Sequence, residues 1–114
     1  MPDHPIPALN GLDIVGVKNN GGADLIVVIA DPMDGTEFSQ NRLLTKLQNY
    51  FGFINSHEYE IQAEVKPTPE NTKVIVKIHP QSSPVYGELI TRCKPWAKEN
   101  NCSLEMQTLV ESEY

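Results

Sequence analysis

Apolar positions recur along this chain with two periods, and the periods sort it into elements. Leu12 to Lys18 is rich in β-branched residues, and Leu25 to Ala30 is an unbroken apolar run. Asn19, Asn20, Gly21 and Gly22 lie between them. Such residues tolerate positive φ, so the pair predicts a β-hairpin whose second strand is central in its sheet. Further on, Leu43, Leu44, Leu47, Tyr50, Phe51 and Ile54 fall at offsets of 0, 1, 4, 7, 8 and 11. That is the apolar stripe of an α-helix. Gln40, Arg42, Lys46, Gln48 and Asn49 fill its polar side, and Asp34, Thr36 or Ser39 supplies an N-cap.

Glu58 to Val65 alternates, with Tyr59, Ile61, Ala63 and Val65 on one side and Glu58, Glu60, Gln62 and Glu64 on the other. The alternation predicts a half-buried strand. Lys73 to Ile78 repeats the pattern and reads as its antiparallel partner, with Lys73 and Lys77 facing Glu60 and Glu64. Pro80 ends that strand, and Ser82 or Ser83 followed by Pro84 marks a helix start. Tyr86, Leu89, Ile90, Cys93, Trp96 and Ala97 continue with helical spacing, and Pro95 predicts a kink or a restart. Asn100 and Asn101 close the helix, and Leu104, Met106 and Thr108 alternate with Glu105 and Gln107 in a last strand. The predicted order is β-β-α-β-β-α-β. It reads as an α+β fold, a two-layer α/β sandwich in which a mainly antiparallel five-stranded sheet carries two helices on one face. Residues 1–10 hold three prolines and predict an extended arm, residues 11–110 the folded domain, and residues 111–114 an acidic tail.

Three segments together resemble a family of small uncharacterised bacterial domains. They are Asp13 to Val17, Leu25 to Asp34 and Leu43 to Ser56. Members of that family share a DxxGxD opening, a VLxISDHLDW strand and turn, and a helix of the type LLxxKLNxYLxFIxSG. This chain has Pro32, Met33 and Asp34 where the family shows His-Leu-Asp, and Gly35 where a tryptophan is common. The resemblance implies a bacterial origin and a shared fold, and it brings no activity with it.

Composition narrows the classes of function. With 39% hydrophobic and 21% charged residues among 114, the chain has the make-up of an ordinary globular domain large enough for one core. Its longest apolar run is far too short to span a bilayer, and the first ten residues lack the layout of a secretory signal, so a soluble, cytoplasmic protein is expected. Nine basic residues scattered against fifteen acidic ones give a net charge of −6, which argues against nucleic acid as a partner and suits a basic protein. Cys93 and Cys102 could form one disulfide but read more simply as small buried thiols, and His4, His57 and His79 are too scattered for a zinc site, so neither metal nor cofactor is expected.

Candidate chemistry is thin. Asp31 to Thr36 is similar to the nucleophile loop of haloacid-dehalogenase-type phosphatases, but its two aspartates stand one residue too far apart for that role, and no later pair of aspartates completes a magnesium site. His79 beside Ser82 and Ser83 is the one local grouping of nucleophile and base types, at a strand end where loop residues are common. The expectation is therefore a non-catalytic interaction domain, an immunity- or inhibitor-like acidic partner of a basic protein, with Asp31, Asp34, Glu37, Glu60 and Glu64 as its contacts. Self-association through a sheet edge is the alternative, as is a small-molecule pocket beside Tyr86 and Trp96. Asp31, Asp34 and Glu37 also suit a plainer role, accepting backbone N–H groups at a turn and a helix start.

Overall fold

The computed structural model describes residues 14–17 and 21–109. The elements are β1 (Ile14–Val17), β2 (Ala23–Ile29), α1 (Glu37–Ile54), α2 (His57–Ala63), β3 (Thr72–Ile78), α3 (Val85–Glu99) and β4 (Ser103–Thr108). They form one four-stranded sheet in the order β1-β2-β3-β4. β1 is antiparallel to β2, whereas β2, β3 and β4 run parallel. The arm over 1–10, the tail over 111–114 and the Asn19-Asn20 half of the first turn lie outside the described residues.

One cluster of buried side chains makes the core. Ala23, Leu25, Val27 and Ile29 of β2 and Val74, Val76 and Ile78 of β3 meet Leu43, Leu47, Tyr50, Phe51 and Ile54 of α1, Tyr59 and Ala63 of α2, and Tyr86, Ile90, Cys93 and Ala97 of α3. All three helices therefore cover the same face, as strands with one apolar side require. The other face carries Ile26, Ile75, Lys73, Lys77, Glu105 and Gln107, and no described helix lies on it. Among the described residues, no helix is long and apolar enough to cross a membrane.

The class is α+β, but the predicted five-stranded, mainly antiparallel sheet is wrong, because residues 58–65 are not a strand. His57 to Ala63 is a helix, capped where the Ser56 hydroxyl accepts the Tyr59 N–H at 3.3 Å. Glu58 and Glu60 sit in its first turn, favoured there by the helix dipole. Tyr59 and Ala63, four apart, both point into the core, while Ile61 is 64% exposed. With that strand gone, Glu60 and Glu64 do not face Lys73 and Lys77. Lys73 instead pairs with Glu105 of β4 at 3.1 Å. Of the kink or restart expected at Pro95, the restart does not occur, since α3 is one helix from Val85 to Glu99 with Pro95 inside it.

The hairpin is as expected in its strands, and β2 is central. Its turn ends on Gly21 and Gly22, at φ of +93° and +91°. At Gly22 a Cβ would stand 2.0 Å from the Asn71 carbonyl oxygen, so the backbone approach there admits only glycine.

Candidate interaction surface

Parallel β2, β3 and β4 end on one edge of the sheet, and open α/β sheets present their working loops at such carboxyl ends. Two loops meet there: Ala30 to Thr36, leading into α1, and His79 to Pro84, leading into α3. Met33 is the plug between them, 1% exposed. Its N–H donates to the Ser82 hydroxyl at 2.9 Å, and its carbonyl accepts from the Ser83 N–H at 2.8 Å. The Tyr86 hydroxyl donates to the Asp34 carbonyl at 2.5 Å. Gly35 completes the seam, because a Cβ there would lie 2.6 Å from the Ser83 hydroxyl. The first loop is thereby held against the second, and its outer surface is fixed.

That outer surface carries Asp31, Asp34, Glu37 and Phe38, all exposed. Asp34 Oδ1 accepts from the Thr36 hydroxyl at 2.6 Å and from the Thr36 N–H at 3.1 Å. The Thr36 hydroxyl in turn accepts the Ser39 N–H at 3.2 Å as the N-cap of α1. One carboxylate of the three thus builds the turn, as its residue type favours. Asp31 and Glu37 flank it, with Glu37 opening the helix where a negative charge suits the dipole. Phe38 follows, 64% exposed, with the Arg42 guanidinium 5.7 Å from its ring centre.

Phe38 was not singled out in the sequence, although a signal was present. It stands five positions before Leu43, about 140° from it around a helix, and so points away from the apolar stripe. An aromatic residue off the stripe of its own helix is a surface residue that folding does not explain.

The other candidates are dispersed. Glu60 and Glu64 lie with α2 at the far end of α1, whose 18 residues extend about 27 Å. Glu60 borders an open hollow of about 390 Å³ there, beside Lys66 and Asn101. Glu64 is the left-handed cap of α2, at φ 62°. The five carboxylates are therefore two groups at opposite ends. Tyr86 and Trp96 also separate, ten residues or about 15 Å apart along α3. Tyr86 is buried in the seam just described, while Trp96 packs edge-on against Phe51, with ring centres 4.8 Å apart at 87°.

His79, Ser82 and Ser83 do share a cleft, with Ile78, Pro84 and Met106, of about 150 Å³. That is small against the roughly 300 Å³ and more of typical ligand sites. His79 Nδ1 accepts the Gln81 N–H at 3.0 Å, and the two hydroxyls accept backbone N–H groups of Met33 and Val85. Each group is engaged in shaping the loop, and the cleft lining includes no carboxylate to orient a base. Among the described residues, no three His, Cys, Asp or Glu side chains gather as metal ligands. Comparisons with protein-family models, with curated proteins and with solved structures find no match.

Proposed function

We propose that the chain is a non-catalytic protein-binding domain, an acidic partner that docks on a basic protein through the loop from β2 into α1. The observation that carries this is Phe38, a large aromatic side chain 64% exposed at the start of a helix, on the same loop-to-helix segment as the exposed Asp31, Asp34 and Glu37. Binding surfaces concentrate their energy in a few aromatic anchors surrounded by polar contacts. Exposed carboxylates on the anchor's own segment, on a chain of net charge −6, select a basic counterpart and speed its approach. Rigid support from the Met33 and Tyr86 hydrogen bonds lowers the cost of ordering the loop on binding. A reducing, cytoplasmic setting suits the two buried free thiols.

The test uses the immobilised full chain with two variants, Phe38→Ala and the pair Asp31→Lys with Glu37→Lys. Asp34 is left alone because it holds the turn. The expected outcome is stoichiometric capture of a basic protein by the wild type, loss of capture with either variant, and an association rate that falls as salt is added. Capture that ignores both variants, or an association rate indifferent to ionic strength, removes this reading.

A further inference from the structure

β4 ends the sheet, and among the described residues no strand lies beyond it. Natural edges are usually blunted by proline, lysine, a bulge or an inward charge. The six residues of β4, Ser-Leu-Glu-Met-Gln-Thr, contain neither proline nor a basic residue, and their single charge, Glu105, is already matched by Lys73 at 3.1 Å. The Leu109 N–H donates to the Ile78 carbonyl at 2.9 Å, so the backbone groups of Leu109 face β3. Successive residues of a strand turn their N–H and C=O groups to opposite sides. Ser103, Glu105 and Gln107 therefore face β3 as well, and Leu104, Met106 and Thr108 aim theirs outward.

We propose that this outer edge pairs antiparallel with the same edge of a second copy across a two-fold axis at Met106. In that register Met106 faces its twin, and Leu104 and Thr108 face each other. Every outward residue of the strand then enters a hydrogen-bonded pair. Glu105 comes opposite Gln107, its neutral hydrogen-bonding companion within the chain at 2.7 Å. Slipping by one pair to centre on Glu105 sets two carboxylates directly against each other where side chains are closest, which is destabilising. Slipping the other way leaves Leu104 out of the ladder. Leu104 and Met106 point to the helix face, with Leu104 buried and Met106 packed on the core, so the two-fold joins the cores of both copies into one layer. An isologous contact of this kind closes on itself and stops at a dimer.

The experiment measures mass in solution for the full chain and cross-linking of two variants. Light scattering is expected to show a mass rising with concentration from 12.7 kDa toward twice that value. Met106→Cys is expected to form a disulfide-linked dimer on mild oxidation, because facing hydrogen-bonded residues stand about 5.5 Å apart between Cα atoms, within disulfide range. Thr108→Cys, opposite Leu104, is expected not to. Gln107→Lys should tighten the dimer several-fold by facing Glu105, and Gln107→Glu should weaken it by a similar factor; circular dichroism checks that each variant is folded. A wild-type chain that keeps its monomer mass at millimolar concentration overturns the proposal. So does a dimer in which Thr108→Cys cross-links as readily as Met106→Cys, or in which the two Gln107 variants behave alike.

Discussion

The hydroxyl of Tyr86 reaches across 52 positions of sequence to donate to the backbone carbonyl of Asp34 at 2.5 Å. It ties the first turn of α3 to the acidic loop after β2. Burial raises the pKa of this phenol, the charge of Asp34 adds to the rise, and a hydrogen bond with Ser39 opposes it, so the hydroxyl stays a donor throughout the neutral range. Tyr86→Phe is expected to cost about 1 kcal/mol, the net worth of one such bond. Urea denaturation measures that loss. Partner capture should weaken as well, although the exposed chemistry of Asp31, Glu37 and Phe38 is untouched; capture at full strength would mean the tie serves folding alone.

Three glycines predict three different outcomes on mutation to alanine. Gly22 has a positive φ of 91° and a backbone oxygen 2.0 Å from where Cβ would be, so Gly22→Ala should lose more than about 2 kcal/mol. Gly35 meets a side-chain hydroxyl that can turn away, and Gly35→Ala should cost less. Gly52 lies exposed within α1 with nothing within 4 Å of a Cβ, so Gly52→Ala should stabilise by about 0.5–1 kcal/mol. Thermal or urea unfolding of the three variants gives the ranking.

Pro95 sits inside α3, exposed to solvent, and lacks the N–H that would bond to the Thr91 carbonyl. Restoring that donor without adding bulk is expected to stabilise the helix, so Pro95→Ala should raise stability by about 1 kcal/mol or more. A loss of stability in the same unfolding measurement would show that the ring shapes α3 in a way its neighbours depend on.

Alkali should unfold the protein earlier than a chain with exposed thiols. Burial pushes the Cys102 thiol from 9.0 up to about 12, and Cys93, Tyr59 and Tyr86 are raised with burial as the first cause. The unfolded chain gives up these protons at lower pH than the folded one. The stability Cys102 contributes is therefore fully present below pH 9 and is lost as pH climbs from there toward about 12. Melting temperature followed through the alkaline range should fall, and Cys102→Ala should fall less steeply over the same interval. Identical slopes for the two chains would assign the alkaline loss to other groups.

Much of this arrangement is legible in the residues themselves. The stripe from Leu43 to Ile54 and the spacing from Tyr86 to Ala97 specify α1 and α3, because a helix that must bury one face repeats its apolar residues at that interval. The apolar runs of β2 and β3 announce buried strands, and the turn glycines announce the hairpin. At the acidic loop, the sequence identifies Asp31, Asp34 and Glu37 but gives no sign that Met33, Ser82, Ser83 and Tyr86 would lock the loop in place, since those contacts join segments about 50 residues apart.

Tertiary structure alone decided the segment from Glu58 to Val65 and, through it, the topology. Tyr59, Ile61, Ala63 and Val65 satisfy a strand's period of two, while Tyr59 and Ala63 by themselves satisfy a helix's spacing of four, so eight residues of local pattern support either reading. Packing settles it: Tyr59 reaches Thr72 at the sheet's lower edge, and the Ala63 carbonyl accepts the Gly22 N–H at 3.2 Å, contacts that a helix placed there makes while Ile61 stays in solvent. Once that segment is helical, the whole stretch from Glu37 to Asn71 becomes a crossover that returns the chain to the start of the sheet. β3 runs parallel to β2, and the loops bearing Asp34 and Ser83 come out on the same edge. Local periodicity determined α1, α3 and the strands, but α2 and the course of the chain depended on which of two near-equal local patterns found a surface to bury against.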